Sequence, residues 1–171
     1  MSEKIKGYPG ERIRTRDLRA GKVPVFKWSP KVRYAWTAGP AMSRFIKELK
    51  NGKIIGRKCN KCDRVLVPPR MFCELCFRPT DRWVYVKDTG TINTYSISHL
   101  AADASRLKEP ILVAVIDLDG ASEGMGILHK LGEVKQEDVR FGMKVKAVWK
   151  TPEDRTGAIT DIKYFKPVEA K

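Results

Sequence analysis

Histidine is nearly absent from this chain of 171 residues, with His99 and His129 the only two. His99 follows Ser96 and Ser98, but no spacing makes a nucleophile–base pair of them. Glycine-rich phosphate loops are missing as well. Residues 120–126 (GASEGMG) contain glycine, yet they lie between two expected strands rather than before a helix and read as a hairpin loop. No apolar run approaches the roughly 20 residues of a membrane helix, so no membrane association is expected. Residues 1–10 carry Lys4 and Lys6 but no apolar h-region, which excludes a secretory signal there and makes the cytoplasm the expected location. Acidic residues are scarce in one half only. Residues 1–82 hold 21 Lys/Arg against 7 Asp/Glu, whereas residues 83–171 hold 13 of each, so the whole net charge of +14 lies in the first half.

A hydrophobic content of 42% suffices for one ordinary domain, or for a small module plus a compact barrel. Residues 1–36 read as an extended basic arm, because Gly7, Pro9, Gly10, Gly21, Pro24 and Pro30 interrupt any periodic pattern. The arm concentrates Arg12, Arg14, Arg16 and Arg19 with Tyr8, Phe26, Trp28, Tyr34 and Trp36, more aromatics than a disordered tail carries. Part of it is therefore expected to pack, either on its own domain or on a partner. Trp28, Tyr34 and Trp36 are the candidate partner anchors. A short helix follows, with Phe45, Ile46 and Leu49 on one face, Ser43 or Thr37 as cap and Asn51-Gly52 as stop.

From Trp83 onward the pattern changes to short alternating runs. Strands are expected around residues 84–86, 91–98, 111–118, 124–129, 145–149 and 159–165, with turns at Asp88-Thr89-Gly90 and Asp119-Gly120. Five or six short strands in about ninety residues fit a small closed barrel, and an OB-fold suits the size and strand count best. The expected architecture is mainly β: a basic arm and docking helix over 1–52, a rubredoxin-like zinc ribbon over 53–82, and an OB-fold barrel over 83–171.

The four cysteines fall in two Cys-x-x-Cys pairs, Cys59/Cys62 and Cys73/Cys76, separated by ten residues. Each pair places two thiolates on one side of a tight loop, and two such knuckles face to face give a tetrahedral metal site. The intervening residues supply one strand, Arg64-Val65-Leu66-Val67, and a break at Pro68-Pro69, as a zinc ribbon requires. One structural zinc is expected. Four thiolates leave no position for water, so hydrolytic zinc chemistry is not expected, and no free thiol remains as a nucleophile. Two disulfides or four free thiols are the competing assignment, which a cytoplasmic setting disfavours. Iron in a rubredoxin-like site satisfies the same spacing. Lys58, Lys61, Arg64, Arg70 and Arg78 flank the cysteines and balance the net −2 of a divalent ion on four thiolates.

Several motifs recur in a fixed order: Tyr34-Ala35-Trp36-Thr37-Ala38-Gly39, Ser43-Arg44-Phe45, Gly52-Lys53-Ile54-Ile55-Gly56 before Cys59, Val67-Pro68-Pro69-Arg70, Phe72-Cys73, Cys76-Phe77 and Asp88-Thr89-Gly90-Thr91-Ile92. This order, over roughly residues 34–166, resembles the zinc-ribbon plus OB-fold family of acyl-CoA-associated accessory proteins, long a domain family of unknown function. The resemblance implies a non-catalytic subunit that sits beside a thiolase-fold enzyme. Such subunits bridge an acetoacetyl-CoA thiolase and a hydroxymethylglutaryl-CoA synthase in archaea, and elsewhere accompany thiolases or aldolases acting on other acyl-CoA thioesters. They help bind CoA and pass the intermediate between active sites. The chain departs from the family's knuckles at Asp63 and Phe77, where glycine is common.

Under that reading the basic first half suits CoA phosphates and an acidic partner surface. Arg70, Trp83, Tyr85 and Tyr95 are the candidate CoA contacts, with barrel core as the alternative for each aromatic. A competing reading is a single-stranded nucleic-acid-binding protein, since zinc ribbons and OB-folds both serve that role and a pI near 9.8 fits. The neutral barrel half argues against it, because binding there needs a basic groove.

Overall fold

A computed structural model describes residues 13–26, 29 and 33–168 of the chain, which divides into two units, 1–36 and 37–171. The first unit contains α1 (Thr15–Arg19), a five-residue helix with no side-chain cap and no buried residue. It interrupts the extended arm read from the sequence and stops at Ala20 and Gly21, the latter at φ +67. Trp28 lies outside the described residues. Tyr34 and Trp36 are 75% and 87% exposed, their ring centroids 6.4 Å apart.

The second unit begins with α2 (Gly39–Lys50), which has proline in its first turn, where the missing N–H costs nothing. Thr37 Oγ1 accepts the Gly39 amide at 3.3 Å, while Ser43, the other candidate cap, lies inside the helix. Ala41, Phe45 and Leu49, four apart, form the buried stripe. The helix ends where the sequence places its stop, at Asn51 and at Gly52 with φ +69.

Two sheets follow. β1 (Ile54–Cys59) is the centre of an antiparallel three-stranded sheet, flanked by β2 (Arg64–Leu66) and β3 (Arg82–Val86). The second sheet holds β4 (Thr89–Leu100), β5 (Arg106–Leu118), β6 (Gly126–Lys130), β7 (Lys144–Trp149) and β8 (Ile162–Pro167) in the order β6-β5-β4-β7-β8. Its ends meet through a parallel bridge between Leu131 and Phe165, with the Gly132 amide donating to the Phe165 carbonyl at 2.9 Å. That closure gives the five-stranded OB-fold barrel.

The apolar residues at 111–118 lie on β5, which pairs on both sides. Ala114, Ile116 and Leu118 are buried, and the alternate residues are half-buried. Phe45, Leu49, Ile54 and Ile55 join Ile92, Ile116, Val145, Ile162 and Phe165 in one core cluster, so helix, ribbon sheet and barrel share their burial. Residues 120–125 form most of the expected loop, Gly126 opening β6, and reach the edge of the ribbon. The Val65 amide donates to Ser122 Oγ at 2.8 Å, and the Ser122 amide donates to the Val65 carbonyl at 3.0 Å.

The structure departs from the sequence reading at Asp88. A simple turn there between neighbouring strands would pair them with each other, yet β3 pairs with β1, and β4 with β5 and β7. The reason lies in β7, which captures Asp88: the Ala147 amide donates to its carbonyl at 2.8 Å and Trp149 Nε1 to its carboxylate at 3.3 Å. The ribbon sheet therefore runs to Val86. The last strand also starts later than expected, because residues Ile159–Asp161 form a 3-10 turn.

Candidate functional site

Cys59 ends β1, and the chain turns through Cys62 before β2; Cys73 and Cys76 lie in the loop between β2 and β3. Backbone hydrogen bonds fix the second knuckle: the Cys73 amide donates to the Arg78 carbonyl at 2.9 Å and the Phe77 amide to the Cys73 carbonyl at 2.8 Å. The four Sγ atoms lie within 4.8 Å of one another, with Cys59 and Cys76 3.7 Å apart. Zinc–sulfur bonds of ~2.3 Å in a tetrahedron imply sulfur–sulfur edges of about 3.8 Å, so the cluster has the dimensions of a four-thiolate zinc site. No disulfide joins the four cysteines.

The thiols do not ionise alike. The Cys76 and Leu75 backbone amides pull Cys73 down to about 7. The Cys76 thiol, with burial and the other two thiols, pushes Cys62 up to about 12. At Cys59 the Cys62 amide pulls down, but burial and the Cys76 and Cys73 thiols together outweigh it and raise the group. Crowded thiols resist ionising together, and a divalent cation at their centre removes that penalty. The donor set and its electrostatics thus fit a structural zinc ion.

The two departures from the family's knuckles have a backbone consequence. Asp63 has φ +50 and Phe77 φ +54. This left-handed region costs an L-residue other than glycine about 1–2 kcal/mol. Asp63 offsets part of it through an ion pair with Lys58, which also holds the Asp63 carboxyl below its ordinary value. Phe77 is 83% exposed.

Of the flanking cations, Arg64 and Arg70 both reach Glu74, at 2.5 and 3.4 Å. Lys61 and Arg78 line a shallow hollow beside Cys59 with Asn60, Pro79 and Asp81. Among the described residues neither makes an ion pair.

The four candidate CoA contacts do not converge. Trp83 is half-buried between two guanidinium groups, Arg44 at 4.5 Å and Arg57 at 4.8 Å from the ring centre. Tyr85 shares that face of β3 and stays 53% exposed, its hydroxyl donating to Glu48 at 3.1 Å and Lys53 lying 5.4 Å from its ring. Tyr95 lies in the other sheet and packs on Phe141 at 5.1 Å. Arg70 stays in the knuckle loop. No ring contact or hydrogen bond joins these four among the described residues.

One important residue went unread in the sequence. Arg57 is buried within β1, stacked on Trp83, and donates to the hydroxyl and the carbonyl of Thr80. Between Gly56 and Lys58 it reads in the sequence as one more flanking cation, and only the register that sets it opposite Trp83 on β3 marks it out.

Residues 47–82 match the family model of the ChsH2 rubredoxin-like zinc ribbon domain, and residues 83–150 match that of the ChsH2 C-terminal OB-fold domain. A DUF35 domain-containing scaffold protein of Methanocaldococcus jannaschii is 34% identical over 119 residues, which is 68% of this chain and 82% of that protein. One from Methanothermobacter thermautotrophicus is 26% identical over 117 residues, 67% of this chain and 86% of that protein. A solved DUF35-family protein of unknown function from Sulfolobus solfataricus gives a TM-score of 0.55 at 35% identity, covering 64% of this chain and 78% of that one. The Ltp2–ChsH2(DUF35) aldolase structure shares the fold at a TM-score of 0.56 and 18% identity, covering 79% of this chain and 98% of the matched chain.

Proposed function

The chain belongs to the DUF35 family, and we propose that it is a non-catalytic accessory subunit of an acyl-CoA-processing complex. In this reading it contacts a thiolase-fold enzyme, either an acetoacetyl-CoA thiolase, a hydroxymethylglutaryl-CoA synthase or a related acyltransferase. It helps bind CoA or pass the acyl-CoA intermediate onward. The observation that carries the proposal is the metal site: its donors are four thiols, so a bound zinc has a closed shell. Such an ion organises the two knuckles and offers no site for substrate or water. The scaffold names of the relatives support the same role.

The chain's own residues supply recognition. Tyr85 offers an exposed ring beside Lys53. In the arm, Tyr34 and Trp36 stay solvent-exposed and retain the role of partner anchors that the sequence gives them, together with Trp28.

Affinity purification of the tagged full-length chain, followed by mass spectrometry, tests the reading. A thiolase-fold enzyme as the main companion supports it. Ribosomal or polymerase components as the main companions replace it with the nucleic-acid reading.

A further inference from the structure

The second cysteine knuckle combines three features. Phe72, Leu75 and Phe77 are 62%, 63% and 83% exposed, and Met71 beside them is 36% exposed, so four large apolar side chains emerge from seven residues. They emerge from a strongly basic module: residues 53–82 hold eight Lys/Arg and three Asp/Glu. Two of those acids are internally engaged, Glu74 by Arg64 and Arg70, and Asp63 by Lys58.

The third feature is Phe77 itself. The two knuckles place a non-glycine residue in the left-handed region at the same position, after the second cysteine. Asp63 at the first has a local use for its side chain, the ion pair to Lys58. Phe77 has no ring partner among the described residues, and it projects into solvent. A residue strained in its backbone and exposed in its side chain does nothing for folding that glycine would not do better. Leu75 follows the same logic. Its backbone amide faces the Cys73 sulfur while its side chain points outward. Backbone bonds from the Cys73 amide to the Arg78 carbonyl and from the Phe77 amide to the Cys73 carbonyl tie this loop while its apolar side chains are displayed.

We propose that this knuckle is the docking surface for the partner enzyme, received by an apolar depression with an acidic rim. The inference rests on the accessory-subunit reading above and names the surface that reading requires. The apolar tip supplies the anchors, and Lys61 and Arg78, which share a hollow with Asp81 beside it and make no ion pair among the described residues, select an acidic rim and speed encounter.

The test uses the full chain and the enzyme recovered with it, purified and titrated by calorimetry. Phe77→Gly relieves the backbone and removes the anchor. It should keep one zinc per chain and an equal or higher melting temperature, yet weaken the partner by at least about ten-fold. Leu75→Ser should weaken it similarly. Asp63→Gly, which relieves the first knuckle in the same way, should leave the affinity unchanged. If both knuckle variants bind the partner as tightly as the native chain, the inference is overturned while the accessory reading stands. Recovery of no partner at all, even at low salt, overturns the accessory reading and this inference with it. Sedimentation showing self-association that Phe77→Gly abolishes would assign the surface to a second copy of the chain and overturn the proposal.

Discussion

The backbone amides of Cys76 and Leu75 point at the Cys73 sulfur and lower its thiol. Its loss should remove the closed shell. The native chain is expected to carry about one zinc by elemental analysis. Cys73→Ser should carry almost none and lose the ribbon's protection in hydrogen exchange, since binding and folding are coupled there. Asp161 is the other residue with a clear energetic role. Burial pushes its carboxyl up, but the amides of Thr156, Ala158 and Gly157 outweigh burial and hold it below the ordinary carboxylate value. Two of these bonds, from Gly157 and Ala158, measure 2.7 and 3.1 Å. With a folded-state value below the unfolded one, its stabilisation is complete above pH ~4 and disappears as the pH falls through the folded value. Asp161→Ala should cost about 2–3 kcal/mol at neutral pH by urea unfolding. The deficit should shrink on acidification; a deficit that persists unchanged at pH ~2 would contradict this account of Asp161.

β3 illustrates what could be read in the sequence and what could not. Alternation at Val84 and Val86 marked a strand, because period-2 patterning reports which face is buried. It carries no information about the neighbour, so the pairing of β3 with β1 across the ribbon, and the capture of Asp88 by β7, were out of reach. The knuckles were legible in full, since metal geometry fixes the spacing of its ligands. The ends of α2 divided: Asn51-Gly52 was read correctly, whereas the start lies at a proline turn held by Thr37 rather than at Ser43. Trp83 was a candidate ligand contact, and only the fold reveals it as the plate between Arg44 on α2 and Arg57 on β1. Trp83→Ala should leave a cavity and strip the buried Arg57 of its stacking partner. A loss of about 3–5 kcal/mol is expected in denaturant unfolding. Tyr85→Ala, at an exposed ring with one hydroxyl contact, should cost about 1 kcal/mol or less.

At the scale of the molecule, charge and fold separate. The net charge of +14 lies wholly in residues 1–82, and the barrel half is balanced. Binding to single-stranded oligonucleotides is accordingly expected to be weak and insensitive to sequence, and to fall steeply with salt in an anisotropy titration, because counterion release needs only the basic half. Tight, sequence-selective binding at physiological salt would favour the nucleic-acid reading instead. No described helix is long and apolar enough to cross a membrane. The helix, ribbon sheet and barrel share one core, as suits the accessory role proposed for the chain. The most direct measurement is the acyl-CoA turnover of the purified thiolase-fold partner, assayed alone, with this chain added, and with this chain by itself. The account predicts no turnover by the chain alone and a partner rate that rises when the zinc-loaded chain is added. A partner fully active without the chain, or turnover by the chain alone, would contradict it.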